Sequence, residues 1–170
     1  MDWNEAVVEG LAEAGVDLTA YLPDGAVAPV IGALEAADAR TLRVEREESA
    51  VAVAAGAWVG GERAAVVCQS SGLANAVNAL GSLTVPARLP FVGIVSRRGD
   101  LGEFNIAQVP GGYGLPGMLD AVGVRNAVVS DPDRAGEVTR MAAETAFSTR
   151  TPYVVCLDAT VTGYKREATR

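Results

Sequence analysis

Glu47 stands where a carboxylate can do chemistry. It follows a short extended stretch, Thr41 to Glu45, and opens an alanine-rich run with Ala50, Ala52, Ala54, Ala55 and Ala57. A carboxylate at a helix N-terminus is stabilised by about 0.3–1 kcal/mol. Acids favour the first turn of any helix, so Glu45, Glu47 and Glu48 also fit an ordinary helix start. A second candidate is Gln69-Ser70-Ser71-Gly72-Leu73-Ala74-Asn75, a strand-to-helix turn rich in hydroxyl, amide and backbone N–H groups. Such a turn suits a polar or anionic ligand, and Ser71 as a helix N-cap accounts for much of the same pattern. A third is Arg97-Arg98-Gly99-Asp100, beyond the apolar run Pro90 to Ser96. Two arginines there could grip an anion bidentately, or could simply be solvated. Asp24 in Pro23-Asp24-Gly25, and Glu103 and Gln108 further along, complete the set.

Several chemistries are disfavoured. The chain has no histidine, which removes histidine triads, histidine metal sites and the commonest general base. Ser70-Ser71-Gly72 is not a nucleophile elbow. Neither the dinucleotide fingerprint nor the phosphate-binding P-loop is present. Cys68 and Cys156 lie inside the apolar runs AAVVCQ and YVVCLD and read as buried small hydrophobes rather than a disulfide or a metal site. Proton chemistry is left to carboxylates, lysine, tyrosine, cysteine or a cofactor.

The elements that must position these residues alternate. Helical spacing covers 3–14, about 26–37, 47–59, about 72–83, 115–122 and 133–147; strands read at 16–22, 41–45, 63–69, 90–96, 124–129 and 152–157. The stretch 97–114, with glycines at 99, 102, 111, 112 and 114, reads as one long loop that could close as a lid. The tail 160–170 is polar and expected to be loose. Continuous apolar strands alternating with helices mean a three-layer αβα sandwich on a six-stranded, mostly parallel sheet, in one domain over 1–170. In such sheets ligands sit beyond the carboxyl ends of the strands, where all the candidate residues fall.

Composition agrees with one self-sufficient domain. The chain has 170 residues and is 49% hydrophobic but only 5% aromatic, so alanine and valine must fill the core. A domain of this size buries roughly two-thirds of its unfolded surface. The net charge of −7 argues against nucleic acid and anionic lipid as partners. The acidic start MDWNEAVVEG lacks the cations of a signal peptide, and no long uncharged apolar run could span a membrane, so the expectation is a cytoplasmic protein.

Taken together, these motifs resemble the pyrimidine-binding domain of thiamine diphosphate (ThDP) enzymes, and within it the sulfopyruvate and phosphonopyruvate decarboxylases. The matching residues are Glu47, Ala54-Ala55-Gly56-Ala57, Gln69 to Asn75, Asn78-Ala79-Leu80-Gly81-Ser82-Leu83, Pro90, Arg98-Gly99, Glu103, Asn105, Ala107, Gln108 and Met118-Leu119-Asp120. The departures are Ser70 for asparagine, Ala74 for glycine, Arg97 for a frequent tryptophan, Val109 for a frequent histidine, Gly111 for methionine and Leu115 for threonine. The Gly-Asp-Gly…Asn motif that holds the cofactor's diphosphate through a metal is missing, since neither Pro23-Asp24-Gly25 nor Gly99-Asp100 continues correctly.

The resemblance therefore implies the α subunit of a two-chain 2-oxo acid decarboxylase. Its cofactor would be ThDP, with Mg²⁺ bound by a β subunit carrying the diphosphate domain; this chain would supply no metal ligand. The resemblance makes Glu47 the catalytic carboxyl on the aminopyrimidine N1′. It places Gln69, Ser70, Ser71, Gly72 and Asn75 with Glu47 at the cofactor, and Asp24, Arg97, Arg98, Glu103 and Gln108 at the substrate. Contacts between copies of the chain are compatible with it. Sulfopyruvate, giving sulfoacetaldehyde and CO₂, is the first expectation. Phosphonopyruvate or another 2-oxo acid is the alternative, as is a non-catalytic binding or regulatory domain that keeps the fold.

Overall fold

The structure, a computed structural model, describes residues 1–163. The first half of the domain runs α1 (Trp3–Glu13), β1 (Leu18–Tyr21), α2 (Ala28–Ala36), β2 (Thr41–Arg43), α3 (Glu47–Val59) and β3 (Ala64–Gln69). The chain continues through α4 (Ser70–Asn75), α5 (Val77–Ala79), β4 (Val92–Ser96), α6 (Val109–Tyr113) and α7 (Leu115–Ala121). It ends with β5 (Arg125–Val129), α8 (Ala135–Thr149), β6 (Tyr153–Leu157) and α9 (Ala159–Thr162).

The six strands form one sheet in the order β2-β1-β3-β4-β6-β5, parallel throughout. Alternate strand residues enter two cores. On one face Ala65, Val67, Ile94 and Val155 pack under α1, α2 and α8. On the other, Val66, Cys68, Val95 and Cys156 pack under α3, α4 and α7. Burial on both faces explains why the central strands read as unbroken apolar runs. Residues are small because elements approach closely: a side chain on Gly10 in α1 would meet the Gly136 carbonyl of α8 at 2.5 Å.

The connections place the site. The chain leaves β1 towards one edge through α2, and leaves β3 and β4 towards the other edge through helices on the opposite face. The gap between the ends of β1 and β3 is thus a point where the winding reverses, and such points open a ligand crevice.

Three expectations change. The helix expected from the Ser-Gly turn to Leu83 begins at Ser70, breaks at Ala76 and ends in a π-turn over Leu80–Thr84. There the buried Thr84 hydroxyl donates to the Leu80 carbonyl at 3.2 Å, a back-bond that loosens a helix. The stretch 97–114 is a loop only to Asn105. The Asn105 side chain accepts from the Ala107 N–H and starts a 3₁₀ turn, Ile106–Gln108, that leads into α6 with Pro110 in its first turn. The tail expected to be loose from Thr160 is helical to Thr162, because the Asp158 carboxylate accepts from the Thr160 N–H at 2.9 Å. Residues 164–170 of that tail lie outside the described residues.

Candidate active site

Asp24 follows β1 and turns its carboxylate across the crevice. One oxygen accepts from the Ala26 N–H and the other from the Gln69 Nε2, each at 2.9 Å. Gln69 closes β3, and its Oε1 accepts from the Ser71 hydroxyl. The Asp24–Gln69–Ser71 chain therefore bridges the two strand ends on either side of the winding reversal and holds the first turn of α4 against them.

Glu47 is the first residue of α3, after Arg46 in extended conformation. Its carboxyl lies directly against α4. A Cβ built on Gly72 would fall 1.7 Å from Glu47 Oε1 and 2.3 Å from the carboxyl carbon. Only a residue without a side chain lets Glu47 occupy this place. Among the described residues no hydrogen bond or ion pair reaches the Glu47 carboxyl, whereas its neighbour Glu48 accepts from Arg46 Nε at 2.9 Å. In β3 nearby, burial pushes the Cys68 thiol up, with the Glu47 charge adding to the effect.

The third group follows β4. The Arg97 N–H extends the sheet by donating to the Leu157 carbonyl at 2.7 Å. Its guanidinium lies 4.9 Å from the Tyr113 ring centroid and pairs with Asp100 at 2.6 Å. The Arg97 side chain is only 10% exposed, and its Nε is buried with no partner among the described residues. With Gly25, Asp100, Ala159 and Thr162 it lines a cavity of about 190 Å³.

Arg98 differs from the expectation of an anion-reading fork. Its Nε and Nη2 both donate to Glu103, at 2.6 and 2.8 Å. Arg98 thereby holds the Glu103 carboxyl down at about 2, well below its ordinary 4.5, despite an opposing push from burial. A depressed carboxyl supports the fold fully above its ordinary value and loses that support as pH falls towards the lowered one. The pair is thus intact through the neutral range and weakens only in acid.

Other expected site residues are spread unevenly. Ser70 is fully buried, and its hydroxyl accepts the Arg98 N–H at 3.1 Å, so it ties α4 to the β4 loop and has no open face for a ligand. Asn75 is exposed at the end of α4. Gln108 lies behind the loop with its Oε1 buried and unpartnered among the described residues. The glycines read as lid hinges are partly packing positions. A Cβ on Gly112 would meet the Arg98 carbonyl at 2.1 Å, and one on Gly99, whose φ is +83°, would meet the Gln108 carbonyl at 2.6 Å.

Two contributors were missed from sequence. Tyr113 sat within the supposed loop. The helix Ala159–Thr162 was not expected, its last residues falling in the supposed tail from Thr160, although Asp158-Ala159-Thr160 after an apolar strand is a helix-cap signal. Among the described residues no cluster of histidine, cysteine, aspartate and glutamate is arranged to hold a metal, and no helix is long and apolar enough to cross a membrane.

The chain resembles known proteins in sequence and in fold. The chain is 34% identical over 160 residues to the sulfopyruvate decarboxylase subunit alpha of Methanococcus maripaludis, covering 94% of this chain and 96% of that one. It is 44% identical over 98 residues to the phosphonopyruvate decarboxylase of Streptomyces viridochromogenes, where the match covers 57% of this chain but only 25% of the longer relative. In structure it superimposes on 2-oxoglutarate:ferredoxin oxidoreductase from Magnetococcus marinus with a TM-score of 0.74 at 17% identity, over 96% of this chain and 30% of that one. That last likeness is one of fold. The family model described as pyruvate flavodoxin/ferredoxin oxidoreductase, thiamine diP-bdg, matches residues 14–170, and this chain belongs to that thiamine diphosphate-binding family.

Proposed function

We propose that this chain is the pyrimidine-side, alpha subunit of a two-chain ThDP-dependent 2-oxo acid decarboxylase, with sulfopyruvate as substrate and sulfoacetaldehyde and CO₂ as products. The observation that carries the reading is the Glu47 carboxyl, seated on Gly72 at the head of α3 and without an internal partner among the described residues. A carboxyl presented this way fits a ring nitrogen, because it can share one proton with it. The near full-length match to a sulfopyruvate decarboxylase subunit alpha supports the substrate and the two-chain assembly. The match to a phosphonopyruvate decarboxylase favours the second reading, in which phosphonopyruvate replaces sulfopyruvate.

When bound, ThDP supplies the electron sink for breaking the bond to the departing CO₂. Glu47 holds the proton at the aminopyrimidine N1′. Gly72 keeps the approach to that carboxyl open, and Gln69 and Ser71, oriented by Asp24, offer polar groups at the start of the same helix α4. Ser70 acts from behind by fixing the β4 loop. Asn75, exposed at the end of α4, is the remaining polar group proposed for the cofactor. Arg97, charged and largely withdrawn from water, is the group in this chain best placed to meet an anionic substrate, with Gln108 beneath its loop. The diphosphate and its Mg²⁺ fall to the partner subunit, because this sequence lacks the motif that holds them.

Calorimetry on the isolated chain tests the division of labour. ThDP with Mg²⁺ is expected to bind weakly or not at all, since the charged half of the cofactor has no partner here. Micromolar or tighter binding by this chain alone would overturn the two-chain reading.

A further inference from the structure

The Glu103 carboxylate is almost entirely withdrawn from water, its side chain 5% exposed. It accepts four N–H groups: Arg98 Nε at 2.6 Å, Arg98 Nη2 at 2.8 Å, the Gly99 N–H at 3.2 Å and the Asn105 N–H at 3.0 Å. A carboxylate so supplied has little left for a ligand. Arg98 is fixed just as firmly. Its N–H is bound by the buried Ser70 hydroxyl, its carbonyl is packed against Gly112, and its side chain is 18% exposed. Exposed ion pairs contribute little, but a bidentate pair shielded from water is both stronger and geometrically stricter.

The segment that this pair closes, from Arg98 to Asn105, borders the cavity that Arg97 lines. Residues 97 to 102 and Glu103, the pair included, form one wall of the cavity into which α9 and Gly25 also project; the pair reaches that wall with its charges already engaged with each other. Arg97 sits at the root of that wall and carries the buried, unpartnered Nε. Its position depends on the course of the residues that follow it. Two motif residues of the sequence therefore act on each other, and the free donor belongs to their neighbour.

We propose that Arg98 and Glu103 form an internal clamp that binds no ligand and instead shapes the loop after β4, so that Arg97 is presented to the anionic group of the substrate. Both are positioning residues for the reaction, and this role rests on the decarboxylase reading above. If the two side chains work only through each other, removing either should have the same consequence, and removing both should add little.

The test uses Arg98→Met, Glu103→Gln and the double variant, each in the complex with the partner chain, ThDP and Mg²⁺. Each single change is expected to raise the KM for sulfopyruvate about tenfold with kcat within about twofold, and the double variant should be no more than about twofold worse than either. Amide hydrogen exchange at Gly99 and Asn105, whose N–H groups end on Glu103, is expected to speed up about tenfold or more in all three chains. An Arg98→Met KM effect far larger than that of Glu103→Gln would make Arg98 a direct ligand and overturn the clamp. So would unchanged exchange in Glu103→Gln. The exchange measurement needs no substrate. If the wild-type complex turned over no 2-oxo acid, the decarboxylase reading would fail while exchange still decided the clamp.

Discussion

Glu47→Gln is expected to lower kcat of the reconstituted complex by about 10²–10⁴-fold, the usual loss when a well-placed acid–base group is removed. The amide keeps the shape and the place against Gly72 but cannot share a proton with the cofactor ring. The fold should tolerate the change. Glu47 is at a helix N-terminus and half-exposed, so neutralising it costs no more than about 1 kcal/mol of stability. Glu48→Gln is the control. Successive helical residues point about 100° apart, and the Glu48 carboxyl is engaged with Arg46. Near wild-type turnover in Glu48→Gln together with collapse in Glu47→Gln supports the assignment. A loss below tenfold in Glu47→Gln removes Glu47 from the chemistry.

Gly72→Ala is expected to reduce kcat by about 10²-fold while leaving stability unchanged or slightly raised, because a misplacement of about 1 Å at a reacting group costs that much. The new methyl group would fall 1.7 Å from Glu47 Oε1, so the carboxyl must swing away. The obstacle is the end of a flexible side chain, so the fold escapes most of the strain. Alanine is also the better helix former inside α4, by about 0.5–1 kcal/mol. An inactive protein with an unaltered melting temperature is the expected result. Full activity in Gly72→Ala would mean that the position of the Glu47 carboxyl does not matter to turnover.

Much of the frame was legible because it rests on local rules. The switch from a short apolar strand to an alanine-rich run placed the start of α3 at Glu47, and the unbroken apolar run before Gln69 marked a strand buried on both faces. Strand order was not legible, since the excursion of β5 to the far edge is set by how far α6 and α7 carry the chain. The 3₁₀ turn and helix after Asn105 were hidden by glycines that suggested a loop. Gly99 and Gly112 are instead places where backbone meets backbone, at 2.6 and 2.1 Å from where a Cβ would stand. At the site, residue types could nominate Glu47 and Gly72 together, but only the packing of α3 on α4 reveals that one fits because the other has no side chain. Likewise Arg98 and Glu103 stood as two substrate residues in sequence, and nothing in an irregular stretch could show that they satisfy each other.

A chain of the proposed kind completes a decarboxylase only together with a second, diphosphate-binding chain. The direct measurement is CO₂ release from sulfopyruvate by this chain, by the partner chain and by their mixture, each with ThDP and Mg²⁺. Turnover is expected in the mixture alone, with sulfoacetaldehyde formed in equal amount to CO₂. Turnover by the partner without this chain, or a stable complex of the two that releases no CO₂ from any anionic 2-oxo acid, would contradict it.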